Sequence, residues 1–261
     1  MNRITFAAAL CGLLMVCSAR ADDCQQHLPA LLEQAYPGYA QGHLLDDERG
    51  TYRISIELSI CKVWPARPHL TLLAASLVRA EDDGHGYSDL EVLVLDTLSQ
   101  AIVARHVEPN LLDWDAIFVD GLEFDTAPYR LREGDLAFGL RIKRRNMSRP
   151  NPFYETSLSL YELQSQRLRP VLSELVMDSS GGEWDTRCAG EFSDTKGLLI
   201  ITERPGNKGY RDLLLKQSRV ESRVAEVAGE CETVEESTRR VQFRIEYDEQ
   251  RYLLPIEFSP V

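Results

Sequence analysis

Between Glu81 and Asp96 the chain reads EDDGHGYSDLEVLVLD, and the first half of that run places acidic side chains where they could hold a cation. Glu81, Asp83 and Asp89 stand at its first, third and ninth positions, with His85 fifth and Gly86 sixth. Calcium takes roughly six to eight oxygen ligands, and alternate loop positions converge on one ion where a glycine permits the sharp turn. The chemistry expected here is calcium binding by Glu81, Asp83 and Asp89, weakened because His85 stands where another oxygen would serve. The plainer reading of the same residues is a hydrated turn with one structural aspartate, since turns favour Gly, Asp and Ser for local reasons. Gly206 to Leu215, GNKGYRDLLL, repeats the Gly-Tyr-x-Asp-Leu order ahead of an apolar run. Its acidic positions are taken by Arg204, Gly206 and Lys208, so Asp212 is the carboxylate left, and those cations are expected to neutralise it.

Other chemistry is sparser. Asp113 and Asp115 flank Trp114, and Glu123 and Asp125 flank Phe124, so on a strand each pair shares a face. Glycoside hydrolysis needs two such acids, although an exposed strand face over a core aromatic has the same pattern. The chain has five histidines, none in a His-Glu-x-x-His spacing, and it lacks a Gly-x-Ser-x-Gly elbow and a phosphate-binding glycine loop. Arg141, Lys143, Arg144 and Arg145, with Arg149 beyond, form a basic run that could meet an anionic envelope ligand or an acidic partner loop. Its plainer role is a solvated strand end that discourages edge pairing. The turn Trp184-Asp185-Thr186-Arg187-Cys188 is a second candidate contact, because Trp and Arg anchor interfaces. The plainer explanation is a core tryptophan packed on a disulfide.

These residues must be positioned by an exported chain. Arg3, the apolar stretch Phe6 to Val16 and Ala19-Arg20-Ala21 fit a signal peptide over residues 1–21. No later stretch is apolar for long enough to predict a transmembrane helix. Cleavage would remove Arg3 and Arg20 but no acid, making the net charge of −12 more negative still. Nucleic acid is thereby disfavoured as a partner, because binding it needs a basic surface that displaces counterions. A basic protein partner such as a cationic envelope hydrolase is compatible with the charge. Cys24, Cys61, Cys188 and Cys231 remain after cleavage, and an even number in an exported chain implies disulfides. Of the three pairings available, the sequence-local one, Cys24 with Cys61 and Cys188 with Cys231, is expected. No Cys-x-x-Cys supports a zinc or redox site.

Leu28, Leu31, Leu32, Ala35 and Tyr36 recur at helical spacing and stop at Pro37-Gly38, which predicts a short N-terminal helix. From Tyr52 onward the period is two, and strand-like runs follow at short intervals with turn residues between them. The class is therefore all-β, in one domain over residues 22–261. The loop at Glu81, with alternating acids, a glycine and then Asp89-Leu90, resembles the calcium-binding turn of FG-GAP repeats, the blades of integrin-like β-propellers. Asp89 and Asp212 are separated by about three blades of roughly 41 residues. Together these imply a propeller-like array of antiparallel sheets. The layout, with a helix ending Ala35-Tyr36-Pro37-Gly38-Tyr39, is similar to uncharacterised exported proteins of Gram-negative bacteria, and more loosely to propeller-like immunity proteins against lysozyme-like effectors. The expected function is that of a non-enzymatic periplasmic or secreted binding protein, with inhibition of a peptidoglycan hydrolase implied by the looser resemblance. The alternatives are an envelope glycan hydrolase using paired carboxylates and a structural component of an envelope assembly.

Overall fold

A computed structural model describes residues 23–260, so the expected signal peptide over residues 1–21 lies outside the described residues. Two short helices, α1 (Asp23–Gln26) and α2 (Leu28–Ala35), open the described residues. Pro29 suits the first turn of α2, which needs no N–H there, and Leu28, Leu31, Leu32 and Ala35 form its buried stripe. Then come β1 (Leu45–Asp47), β2 (Gly50–Val63), β3 (Leu70–Asp82), β4 (His85–Asp96) and β5 (Ile102–Trp114), paired antiparallel in sequence order as one five-stranded sheet. A tight turn at Asp115, whose N–H donates to the Ile117 carbonyl at 3.0 Å, carries the chain out of that sheet. It enters a second one built from β6 (Ile117–Arg132), β7 (Asp135–Asn146), β8 (Phe153–Gln164), β9 (Arg167–Trp184), β10 (Gly190–Pro205), β11 (Arg211–Val227) and β12 (Glu230–Ile245).

The all-β class expected from the two-residue period holds. The repeated blades do not follow from it: the strands divide five and seven in a single meander, and the second sheet curls into a half-barrel. The reason is visible in β3 and β4, which are buried on both faces. Leu90, Val92 and Val94 point between the sheets with Phe124, Phe138, Leu140 and Tyr161, while Leu93 and Leu95 point the other way against α2. A strand covered on both sides reads as a continuous apolar run and gives no sign of how many sheets surround it.

The second sheet forks. β9 pairs with β8 from Arg167 to Gly181 and β10 pairs with β11 along its length, but β9 and β10 pair with each other only where Asp178 to Trp184 meet Gly190 to Lys196. Gly197 sits at the fork, where an added Cβ would come within 2.5 Å of the Met177 carbonyl oxygen. Inside the fork lie Leu172, Leu175, Tyr210, Leu213 and Leu215, covered by Tyr252 and Phe258 from the C-terminal segment. Beyond it the ends of β9 to β12 run on as a four-stranded distal sheet, in which every residue from Glu230 to Arg240 is exposed.

Both expected disulfides are present. Cys24–Cys61 fastens α1 to β2 with Cα atoms 5.8 Å apart, and Cys188–Cys231 ties the β9–β10 loop to the start of β12 at 5.5 Å. They close loops of 37 and 43 residues in sequence separation, for which chain entropy sets a ceiling of about 4 kcal/mol each. Cys24 and Cys61 are buried and Cys231 is exposed. Replacing the first pair by serine is therefore expected to cost about 2–5 kcal/mol, more than replacing the second, as read from urea midpoints. An equal loss for both pairs would show that burial of the first adds nothing.

Candidate functional site

The predicted cation loop is the β3–β4 hairpin, with Asp83 and Gly84 at positive φ (21° and 90°) in its turn. Glu81 forms an ion pair with Arg53 on β2. Asp89 lies further along β4, opposite Leu77, and is completely buried. Its carboxylate accepts from Arg79 Nε at 2.7 Å and from the Asn110 backbone N–H at 2.9 Å, with Arg49 Nη1 at 3.1 Å. Arg79 also donates to Asp47 and to the Gly50 carbonyl. The structure thus separates the three predicted ligands: Glu81 and Asp83 stay at the exposed turn, while Asp89 is neutralised inside by guanidinium groups. Among the described residues no three His, Cys, Asp or Glu gather in a way that could hold a metal ion. The echo at Gly206 is likewise a turn between strands, β10 and β11. Asp212 does meet a cation there, but it is Arg244 of β12, at 3.2 Å, while Lys208 reaches Glu249 at 3.5 Å.

One of the two carboxylate pairs, Glu123 and Asp125, meets the basic run. Antiparallel pairing of β6 with β7 sets Glu123 opposite Arg141, close to Lys143. Lys143 reaches Glu123 at 2.6 Å, Arg145 reaches Asp120 at 2.6 Å, and Arg141 binds Asp125 at 2.8 Å. Burial alone would raise the Asp125 carboxyl. Hydrogen bonds from the Ala127 N–H, the Tyr129 hydroxyl and Arg141 outweigh it and hold the group below the usual range. Arg144 points the other way, as alternation on a strand requires, and is buried against Glu174, Ser157 and the Leu111 carbonyl. Asp113 and Asp115 are exposed, and Asp115 accepts the Ile117 N–H within its turn.

What the sequence does not announce is the distal sheet. Its register puts Glu191, Arg223 and Glu235 in one cross-strand row and Ser193, Glu221 and Ser237 in the next, all on one face. That face forms a concavity of about 720 Å³ bordered by Glu183, Glu191, Glu221 and Glu235, with Arg219 and Arg223 as the cations among them and Glu236, at the alternate position of β12, on its rim. Arg223 is paired with Glu235, and Arg219 with Glu221 at 3.0 Å. The glutamates outnumber the arginines, so the face is left acidic.

The opposite face carries aromatics. Trp184 and Phe192 lie with ring centroids 6.3 Å apart, and Tyr154 and Met147 are exposed beside them. With Arg145, Arg149 and Pro152 they line a groove of about 490 Å³. Trp184 Nε1 donates to the Arg149 carbonyl at 2.5 Å, so the Trp184 turn and the end of the basic run, separate candidates in the sequence, meet here. Trp184 is half-buried on this face, its ring tilted against that of Phe192, instead of packing in the core. Gly182 makes room for that arrangement: a Cβ there would stand 2.4 Å from Phe192 Cδ1.

Glu183, Glu191, Glu221 and Glu235 were not legible as a site because they come from four different strands and only register unites them. The signal available was the lack of any apolar face along Glu230 to Arg240, which marks a strand wet on both sides. Comparison of the chain with family models, with curated proteins and with solved structures finds no match.

Proposed function

We propose that this is a non-enzymatic exported binding protein that holds a basic protein partner of the cell envelope against its distal sheet, a peptidoglycan hydrolase being the class to test first. The observation that carries this reading is the glutamate-bordered concavity on a distal sheet whose last strand is exposed from Glu230 to Arg240. A net charge of −12 steers a cationic partner toward the molecule, and the concave face focuses that field. The aromatic face behind it offers Trp184 and Tyr154, residue types that dominate binding energy where they are desolvated. Two disulfides are compatible with an oxidising compartment, and no helix among the described residues is long and apolar enough to cross a membrane. The alternative, a glycan hydrolase using paired carboxylates such as Asp113 and Asp115, has less support: both stand exposed, Asp115 accepting the Ile117 N–H within its turn, and the second pair, Glu123 and Asp125, is engaged by Lys143 and Arg141.

The test is capture from an envelope extract by the immobilised protein, followed by an assay of the captured protein's peptidoglycan hydrolysis. The expected result is stoichiometric recovery of a basic hydrolase whose activity falls on binding. The double variant Glu191→Arg/Glu221→Arg, which changes only exposed positions, is expected to weaken capture by about tenfold or more. Capture that ignores this charge reversal would remove the concavity from the proposal. Turnover of peptidoglycan by the purified protein itself would overturn the non-enzymatic reading.

A further inference from the structure

β12 is the last strand of the seven-stranded sheet, and among the described residues it pairs on one side only, with β11. Its other edge therefore presents a row of unpaired backbone N–H and C=O groups, with the side chains from Glu230 to Arg240 exposed on both faces. Charges on an edge strand normally discourage pairing. Here they are segregated by sign about the centre: Glu235-Glu236-Ser237-Thr238-Arg239-Arg240. Reversing the direction of such a segment exchanges acid for base. A second copy laid antiparallel along the first therefore meets complementary charge along its length, whereas a parallel copy meets like charge.

We propose that β12 pairs antiparallel with β12 of a second copy of this chain, extending the two distal sheets into one continuous sheet about a twofold axis. That axis stands normal to the sheet, so residues directly opposite must share a face, and only pairings of two odd or two even positions satisfy this. The strand is regular over this stretch, its one irregularity lying opposite Arg223/Val224. Centred on Thr238, the pairing sets Glu236 opposite Arg240 of the other copy twice over, with Glu235 diagonal to Arg239. Centred on Ser237, it sets Glu235 opposite Arg239, with Glu236 diagonal to Arg240. Among the described residues no ion pair engages Glu236, Arg239 or Arg240, whereas Glu235 is held by Arg223. The structure therefore favours the centre at Thr238, where the directly opposed groups are the uncommitted ones. Arg219 and Arg239 also stand opposite one another within the chain, a like-charge contact that Glu235 of the second copy would relieve.

This proposal is independent of the envelope partner, and its test uses the purified protein alone. Sedimentation equilibrium is measured on the full chain, on Glu235→Arg/Glu236→Arg, on Arg239→Glu/Arg240→Glu, and on an equimolar mixture of the two variants. The expected result is a dimer for the natural chain, weakened by added salt, and a dissociation constant raised about tenfold or more in each variant alone. Mixing the variants restores opposite charge across the pair and is expected to return the dimer as a heterodimer, which also shows that both variants fold. A natural chain that stays monomeric into the millimolar range overturns the proposal. So does a dimer indifferent to both reversals, or weakening that mixing does not repair.

Discussion

Replacing Arg79 by alanine is expected to lower the stability of the fold by about 3–5 kcal/mol, the usual cost of stranding a buried charge. Asp89 is fully buried and the Arg79 side chain is only 4% exposed. Removing Arg79 leaves the Asp89 carboxylate with the Asn110 N–H and with Arg49, whose side chain is 32% exposed and so pairs across partly wet space. It also frees Asp47 and removes the guanidinium that lies 4.8 Å from the centre of the Tyr52 ring. Asp89→Asn is expected to cost less, about 1–3 kcal/mol, because the amide oxygen still accepts from Asn110 and Arg79 keeps Asp47. Urea midpoints separate the two variants, and a loss below about 1 kcal/mol for Arg79→Ala would contradict the buried-charge argument.

The same network makes a pH prediction. The hydrogen bond from Arg79, aided by the Arg49 backbone N–H and the nearby guanidinium charges, holds the Asp47 carboxyl below its usual range against the opposing effect of burial. A carboxyl whose value is depressed in the fold stays ionised there at pH values where the unfolded chain has begun to bind a proton. Its contribution is complete above the ordinary carboxylate value near ~4 and is lost as pH falls through the folded value. The natural chain should therefore lose stability steeply on acidification below that point, and Arg79→Ala should show a shallower acid limb. Parallel limbs in the two proteins would mean that Arg79 is not what depresses Asp47.

The contrast between Asp89 and the distal glutamates shows what was legible in the sequence and what was not. The helix at Leu28, the strand period and the sequence-local disulfides depend on neighbours a few residues apart or on closing one loop, and a single chain displays such relations. The alternating acids at Glu81, Asp83 and Asp89 looked equally local. Their fate was decided by Arg79 and Arg49, which arrive from β3 and the β1–β2 turn by strand pairing. The basic run is likewise not a free patch, because β6 lies beside β7 and brings Asp125, Glu123 and Asp120 to Arg141, Lys143 and Arg145, while Arg144 turns inward to Glu174. Sheet number failed for a related reason. The apolar faces of β4 against α2 and against the second sheet look the same in sequence, so spacing alone supported regular blades where five strands and seven are found.

Phe138→Ala probes the contact that joins those two sheets, and it is expected to cost about 3–5 kcal/mol. Phe138 is completely buried. Its ring meets Trp64, directly after β2, edge-on at 5.2 Å and Phe124 at 6.0 Å, and it lies nearly parallel to Tyr161 at 5.7 Å. Truncation removes the transfer energy of the ring and opens a cavity that these neighbours, themselves held in both sheets, cannot collapse to fill. Phe192→Ala, on the half-buried aromatic face of the distal sheet, should cost under about 1.5 kcal/mol, because it leaves a notch open to water and no void. The larger loss should also be cooperative. The inter-sheet core draws Leu72, Val92 and Leu112 from one side and Leu140, Ile142 and Tyr161 from the other, so weakening it lowers the stability of both sheets together. Tryptophan fluorescence, which includes Trp64 in that core, and far-ultraviolet dichroism should then shift by the same amount in denaturant. Two separated transitions in Phe138→Ala would instead show that each sheet, one with α2 and the other with its own half-barrel core, holds itself together without the interface.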